Sequence, residues 1–286
     1  TDLANNQPVT TKYMHYAKMQ GTRIVVVNPF REPGLERYWV PSVASSAVFG
    51  TRLRDEFFQV RIGGDIAFMN GAMKALVEQG GEDRGFIAQR TTAFADLAAF
   101  LQQLSWEEIE AASGLPRAEI ERFARLYGAA KSAVLCYSMG LTQHRFGVEN
   151  IKALADLALL RGNLGREKTG IMAIRGHSGV QGGGECGVDG DKFPGGFEIN
   201  PENAARFSKL WGKDIPAAKG LKTGQMVEAA HDGRMDLLYT IGGNLLETMP
   251  DRSYVAEALR RVRVRIHQDI TLNSYAVMEG GEVLVL

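Results

Sequence analysis

The chain has 286 residues, enough to bury a sizeable core, and length alone points to one large domain or two ordinary ones, of which two better fits the pattern along the chain. Lys plus Arg and Asp plus Glu balance at 33 each, so no net field recruits nucleic acid or an anionic membrane surface. The longest apolar stretches, 24–27 and 157–160, fall far short of the roughly 20 residues that a membrane span needs.

Two cysteines, Cys136 and Cys186, make neither a disulfide framework nor a paired-cysteine metal site, and a reducing, cytoplasmic setting is expected. The five histidines show no metal-ligand spacing, so no metal-binding residue is assigned and any metal is expected to arrive inside a cofactor. The absence of a signal-like start after Thr1 and the strand-like residues 282–286 together suggest a piece cut from a longer polypeptide.

Along the chain, helix and strand alternate as in an α/β protein. A helical pattern over 11–20 is followed by Gly21 at a C-terminal cap position, then by a β-branched run over 23–27 that ends at Asn28-Pro29. Gly63-Gly64-Asp65 precedes an apolar stripe at helical spacing (Ile66, Met69, Met73, Leu76, Val77), which places Asp65 as N-cap. Ser105 to Glu108 is a capping box, the following helix stops near Gly114, and Pro116 opens the next one through Tyr127. A strand is expected over 132–138, then Met139-Gly140-Leu141-Thr142-Gln143, then a helix over 148–160 closed by Gly162-Asn163-Leu164-Gly165.

After a glycine-rich stretch the pattern resumes. Helices are expected near 202–210 and 225–230, a strand over 235–241 ending at Gly242-Gly243-Asn244, a helix near 252–261 and a strand over 262–267. In the run 260–265, arginines alternate with valines like a strand with one solvated face. The expected architecture is two α/β domains, 1–176 and 177–286, each a doubly wound, mostly parallel sheet, the second incomplete.

Residues 175–187 hold six glycines in thirteen positions beside one permanent cation, Arg175. Such a loop suits close backbone approach to a ligand, and a guanidinium there can clamp a carboxylate or phosphate in bidentate fashion, although a lone Arg is as often a solvated surface cation. Gly182 to Gly187 matches G-x-G-x-x-G, but the next residues, 188–196, read as a loop and not as a helix start, which argues against a simple dinucleotide fold. His177 is a candidate general base or a plain hydrogen-bonding loop residue. Asn28, Gln143, Asn244 and Asp269 each follow a strand, where a polar residue is by itself more often a turn former than a ligand contact; four at strand ends favour a site.

Taken in order, Val27-Asn28-Pro29, Gly63-Gly64-Asp65, 139–143, 160–165, Arg175-Gly176 with Val180-Gln181-Gly182, 241–244 and Gln268-Asp269 resemble the molybdopterin oxidoreductases, in their formate dehydrogenase alpha-subunit-like branch. The likeness covers nearly the whole chain. It implies two Rossmann-like domains, each holding one limb of a bis(molybdopterin guanine dinucleotide) with molybdenum or tungsten. One limb would meet Asn28, Gly64, Asp65, Met139, Gly140 and Gln143; Gly243, Asn244, Gln268 and Asp269 would meet the other, with Gly176, Ser178 and Gln181 in the glycine stretch also at the cofactor. Arg175 matches the arginine that orients formate beside the metal. A small-molecule substrate, formate or similar, is implied, with a 4Fe-4S cluster or a partner taking the electrons.

The chain departs from that pattern at three places. Asn28 stands where the family usually has an acid, and His177-Ser178 stands where formate dehydrogenases usually have Gln-Asn. No counterpart of the iron–sulfur region, the cysteine or selenocysteine metal ligand or the C-terminal cofactor-capping domain lies within these residues. Two alternatives stay open: a related molybdenum enzyme for another small oxyanion or carboxylate, and a non-catalytic cofactor-binding module.

Overall fold

The computed structural model describes residues 3–41, 43–174 and 179–286, so Arg175, Gly176, His177 and Ser178 lie outside the described residues. The chain divides into two compact units, 1–176 and 177–286.

In the first unit the helix Pro8–Met19 ends at Gln20 with Gly21 at φ 87°, and leads into β1, Val25–Val27. β1 pairs in parallel with β2, Glu56–Phe58. Asp55 joins these pieces: its carboxylate accepts the Ile24 amide N–H and the Lys18 ammonium, both at 2.7 Å. β3, Val134–Tyr137, pairs in parallel with β4, Gly170–Ala173, after a crossover through the helix Gly147–Leu160.

The four strands form two separate pairs and not the continuous doubly wound sheet that the alternation predicts. Each pair is only three or four residues long, and the core both touch is helical. The helix Asp65–Glu78 is buried nearly all round, with Phe68, Met69, Ala72, Met73, Ala75 and Leu76 in one cluster with Phe58 of β2. Leu135 and Tyr137 of β3 and Ile171 of β4 pack against the same cluster. Helix packing thus joins the two pairs. It is close packing: a Cβ on Gly71 would lie 2.7 Å from the Ile109 side chain. Lys74, buried in this helix, donates from Nζ to the Leu101 carbonyl at 3.0 Å, at the end of the helix Phe94–Gln103.

The Ser105 capping box forms as expected and the helix Trp106–Ser113 ends on Gly114 in the left-handed region. Asp65, by contrast, is the first helical residue and not the cap, which is Gly64 without a side-chain bond.

The second unit opens with the helix Gly179–Glu185, which runs through Gly182, Gly183 and Gly184, followed by a small antiparallel pair, β5 (Lys192–Phe193) and β6 (Phe197–Glu198). The expected loop is therefore partly helical: these three glycines have no positive φ, and main-chain i→i−4 bonding is available to them as to any residue. Helices Pro201–Trp211 and Thr223–His231 precede a three-stranded parallel sheet of β7 (Leu237–Ile241), β8 (Val264–Gln268) and β9 (Glu282–Val285), in the order β7-β8-β9. The helix Arg252–Arg261 makes the crossover from β7 to β8 and buries Val255, Ala258 and Leu259 against Val227, Ala230 and Leu246.

β8 corrects the expectation of a solvated arginine face. Arg265 is fully buried, and its Nη2 donates to the carbonyls of Met278 (2.7 Å), Glu279 and Gly280, because segment 275–280 folds back over that face. Burial pushes its pKa down, against the pull of Tyr275. Among the described residues no helix is long and apolar enough to cross a membrane.

Candidate functional site

Polar residues gather at the carboxyl ends of the parallel strands in both units, where open α/β sheets bind ligands. In the first unit, the chain leaving β1 turns at Asn28, whose Nδ2 donates to the Phe30 carbonyl (2.8 Å) and to Glu32 Oε1 (2.9 Å). Gln59, just past β2, donates from Nε2 to the Pro29 carbonyl at 3.1 Å. An open cleft of about 520 Å³ lies there, lined by Pro29, Gln59, Val60, Arg61, Ile62 and Gly114 among others.

Gly64 has a packing reason to be glycine. A Cβ there would meet the Ala112 carbonyl oxygen at 2.6 Å and the Ser113 Cα at 2.9 Å. Asp65 follows it, half-buried. Burial pushes its carboxyl above the usual range, partly opposed by its own backbone N–H and by the charge of His144. His144 belongs to the segment after β3, in which Met139–Thr142 is one helical turn and Gln143 ends it. His144 Nε2 lies 2.7 Å from the Gly140 carbonyl, and buried Asn150 donates from Nδ2 to the Leu141 carbonyl at 2.9 Å, so the turn is held from two sides. Met139, Gly140 and Gln143 are exposed. His144 lies near enough for its charge to act on Asp65, and no sequence spacing singles it out beyond its place next to Gln143.

In the second unit β7 and β8 put their strand-end residues side by side: Ile241 is in register with Gln268, and the Gly242 N–H donates to the Gln268 carbonyl at 2.8 Å. Gly242 and Gly243 turn away at φ 64° and 90°, backbone that glycine adopts without strain. The Gln268 side chain accepts from the Tyr239 hydroxyl. Asp269 keeps its carboxylate over the loop, accepting from Ile270 N–H (2.7 Å) and Asn273 Nδ2 (3.1 Å), with His267 Nε2 at 3.5 Å. Asn244 donates from Nδ2 to Ser274 Oγ at 2.8 Å, while its Oδ1 is buried with no hydrogen-bond partner among the described residues. Asn273, Ser274 and His267 were not evident as site residues in the sequence, because a return loop brings them to the strand ends.

Gln181 lies in the glycine helix and its Nε2 donates to Glu185 Oε1 at 3.1 Å. Around Gly182, Gly183 and Gly184 a Cβ would meet nothing within 4 Å among the described residues, so no contact with these explains the glycines. Arg175, Gly176, His177 and Ser178 are outside the described residues. Among the described residues no group of three or more His, Cys, Asp or Glu is placed to hold a metal ion.

Residues 1–278 match the model of the family described as "Molybdopterin oxidoreductase". The chain is 31% identical over 293 residues to Protein YdeP of Escherichia coli (strain K12), with 98% of this chain and 38% of that protein covered. It is 30% identical over 275 residues to formate dehydrogenase H of the same organism, covering 96% of this chain and 36% of the relative. It therefore spans well under half the length of these relatives. Among solved structures, the acetylene hydratase from Pelobacter acetylenicus has a similar fold, with TM-score 0.60 at 14% identity over 94% of this chain and 37% of that one. With a family match running over nearly all of its residues, the chain belongs to the molybdopterin oxidoreductase family.

Proposed function

We propose that this chain is the central cofactor-binding part of a formate dehydrogenase-like oxidoreductase, in which each unit is a Rossmann-like domain holding one limb of a bis(molybdopterin guanine dinucleotide). Membership of the family implies a molybdopterin that carries molybdenum or tungsten. The dinucleotide form, the assignment of limbs to residues and a 4Fe-4S cluster or partner as electron acceptor are parts of the proposal.

The observation that carries it is the Oδ1 of Asn244, buried with no hydrogen-bond partner among the described residues, with Asn244 and Asp269 bonded to the consecutive loop residues Ser274 and Asn273. A buried acceptor left without a donor costs about 1–3 kcal/mol, so a ligand edge that brings N–H or O–H donors is what such a site fits. A guanine base and its ribose are rich in such donors. In the first unit the half-buried Asp65 carboxyl, with its raised pKa, suits the same chemistry. The residues present therefore fit the group, with Asn28, Asp65, Met139 and Gln143 toward one limb and Asn244, Gln268 and Asp269 toward the other.

When bound, the metal cofactor supplies the acceptor for the two electrons that formate gives up on becoming CO2 and a proton. The work of this chain is to bind and orient. Arg175 would fork onto the formate carboxylate and fix the direction of its C–H bond, and His177 would take up the proton. The glycine helix would let the ligand lie against main chain. Formate as substrate is favoured by the relatives named as formate dehydrogenases, while a fold shared with a protein named acetylene hydratase carries no substrate by itself.

The test is a single preparation of the full-length protein, analysed for molybdenum or tungsten, for guanine nucleotide released by acid, and for formate-dependent dye reduction. Metal, nucleotide and an activity that falls about a hundredfold or more in Arg175→Ala are expected. Metal and nucleotide without formate activity would move the substrate to another small oxyanion or carboxylate, for which His177-Ser178 in place of Gln-Asn would be the reason. Absence of both metal and nucleotide would sink the cofactor reading.

A further inference from the structure

Asn273 and Ser274 are neighbours in the loop after β8, and their side chains end on two residues that leave different strands. Asn273 Oδ1 accepts the backbone N–H groups of Tyr275 (3.1 Å) and Ala276 (3.2 Å). An amide oxygen engaged by two N–H donors fixes which way the amide faces, so the opposite atom, Nδ2, is the one turned to Asp269 and His267. It donates to Asp269 Oδ2 at 3.1 Å and lies 3.2 Å from His267 Nε2. Since Nδ2 can only donate, His267 accepts at Nε2 and carries its proton on Nδ1, a buried atom with no partner among the described residues.

Ser274 does the same for the neighbouring strand. Its hydroxyl donates to Glu247 Oε1 at 2.9 Å, and Arg252 Nη2 holds that carboxylate at 2.9 Å. With its one proton committed to Glu247, Ser274 Oγ can only accept from Asn244, which it does from Nδ2 at 2.8 Å. The Asn244 amide is thereby set with Oδ1 on the other side, and Oδ1 is the buried acceptor left over.

We propose that the Asn273-Ser274 dipeptide is the positioning device of this site, holding Asp269 and Asn244 as a matched pair of acceptors so that the site selects a nucleobase edge bearing two N–H donor groups. The proposal rests on the reading of Asn244 and Asp269 as contacts to a guanine nucleotide. Asn273 and Ser274 are positioning residues that act through those two side chains. Guanine presents N1–H and the exocyclic amino group; hypoxanthine keeps the first and lacks the second. A site built to pair a donor rejects the analogue that lacks it, because its own acceptor then stays unpaired.

The test is titration calorimetry of GDP and IDP on the cofactor-free full-length protein. Wild type is expected to prefer GDP by about tenfold or more. Asn273→Asp keeps an acceptor for the Tyr275 and Ala276 N–H groups, and so the turn, but removes the donor facing Asp269; the preference is expected to fall to about threefold or less. Ser274→Ala, which releases the Asn244 amide, should act alike, and Ser274→Thr should retain the preference. A merely structural role would weaken GDP and IDP together and leave their ratio at the wild-type value, and that result overturns the proposal. Equal binding of GDP and IDP by wild type would instead overturn the guanine reading beneath it, a failure seen before any variant is made.

Discussion

Asn163 donates from Nδ2 to the Tyr127 hydroxyl at 2.9 Å, with both side chains buried. The hydroxyl passes its own proton to the Leu157 carbonyl at 3.2 Å, and Asn163 Oδ1 accepts from the Ala133 N–H and from Arg166 Nη2. One side chain of the Gly162-Asn163-Leu164-Gly165 segment therefore ties the helix Arg117–Ala129 to the start of the β3 region. This part of the family resemblance serves the fold, whatever the cofactor does. Asn163→Ala is expected to cost about 3 kcal/mol and Tyr127→Phe about 1 kcal/mol in urea unfolding. The double variant should lose less than the sum, because the two share a bond; strict additivity would show the pair to be uncoupled.

Asp65 makes a prediction about pH. Its carboxyl pKa in the fold is raised by burial, so the ionised form is penalised relative to the unfolded chain. That cost is complete above the folded pKa and disappears as pH falls through it to the ordinary carboxylate value of about 3.9. Without cofactor, Asp65→Asn should be more stable than wild type near about pH 7.5, with the advantage shrinking to nothing in acid. Denaturation curves of the two proteins that keep one constant separation across pH would contradict the assignment.

The glycine helix offers a trade between stability and binding. Gly182 and Gly183 sit in a helix with open space where a Cβ would be, and each costs roughly 1 kcal/mol relative to Ala. Replacing either by Ala should raise the melting temperature of the cofactor-free protein. If the ligand approaches this backbone, the same changes should lower the guanine nucleotide retained after purification. Raised stability with full retention would place the ligand elsewhere.

Gly281 should tolerate nothing larger. Its φ is 65°, and a Cβ would lie 2.5 Å from the Val262 carbonyl oxygen and 2.9 Å from that of Arg263, both backbone atoms. Gly281→Ala is expected to destabilise by about 2–4 kcal/mol and to speed limited proteolysis between β8 and β9. A melting temperature within experimental error of wild type would show that this turn can rearrange.

Much of the element order was legible because it rests on local chemistry. The Ser105–Glu108 box caps where its spacing says, Gly114 ends the helix in the left-handed region, and the helix over 148–160 starts one residue earlier, at Gly147. β2 and β4 were not legible, since strands of three and four residues carry too little periodicity to stand out. Asp65 differed by one position, as helix starts often do. The glycine stretch read as loop because glycine lowers helix propensity, yet part of it is helical.

By itself the sequence determined the α/β alternation, many of the caps and turns, the positions of Asn28, Asn244 and Asp269 just after strands, and the family, since each depends on residues within a few positions of one another or on motifs in a fixed order, whereas Gln143 ends a helical turn that separates it from β3. The tertiary structure alone decided how the strands pair, that Arg265 faces inward beneath 275–280, and that Asn273 and Ser274 of a return loop hydrogen-bond to Asp269 and Asn244. Those outcomes depend on which distant backbone carbonyls and side chains need a donor once the core has closed, and a buried polar atom is satisfied by whatever neighbour packing supplies, not by its neighbours in the chain.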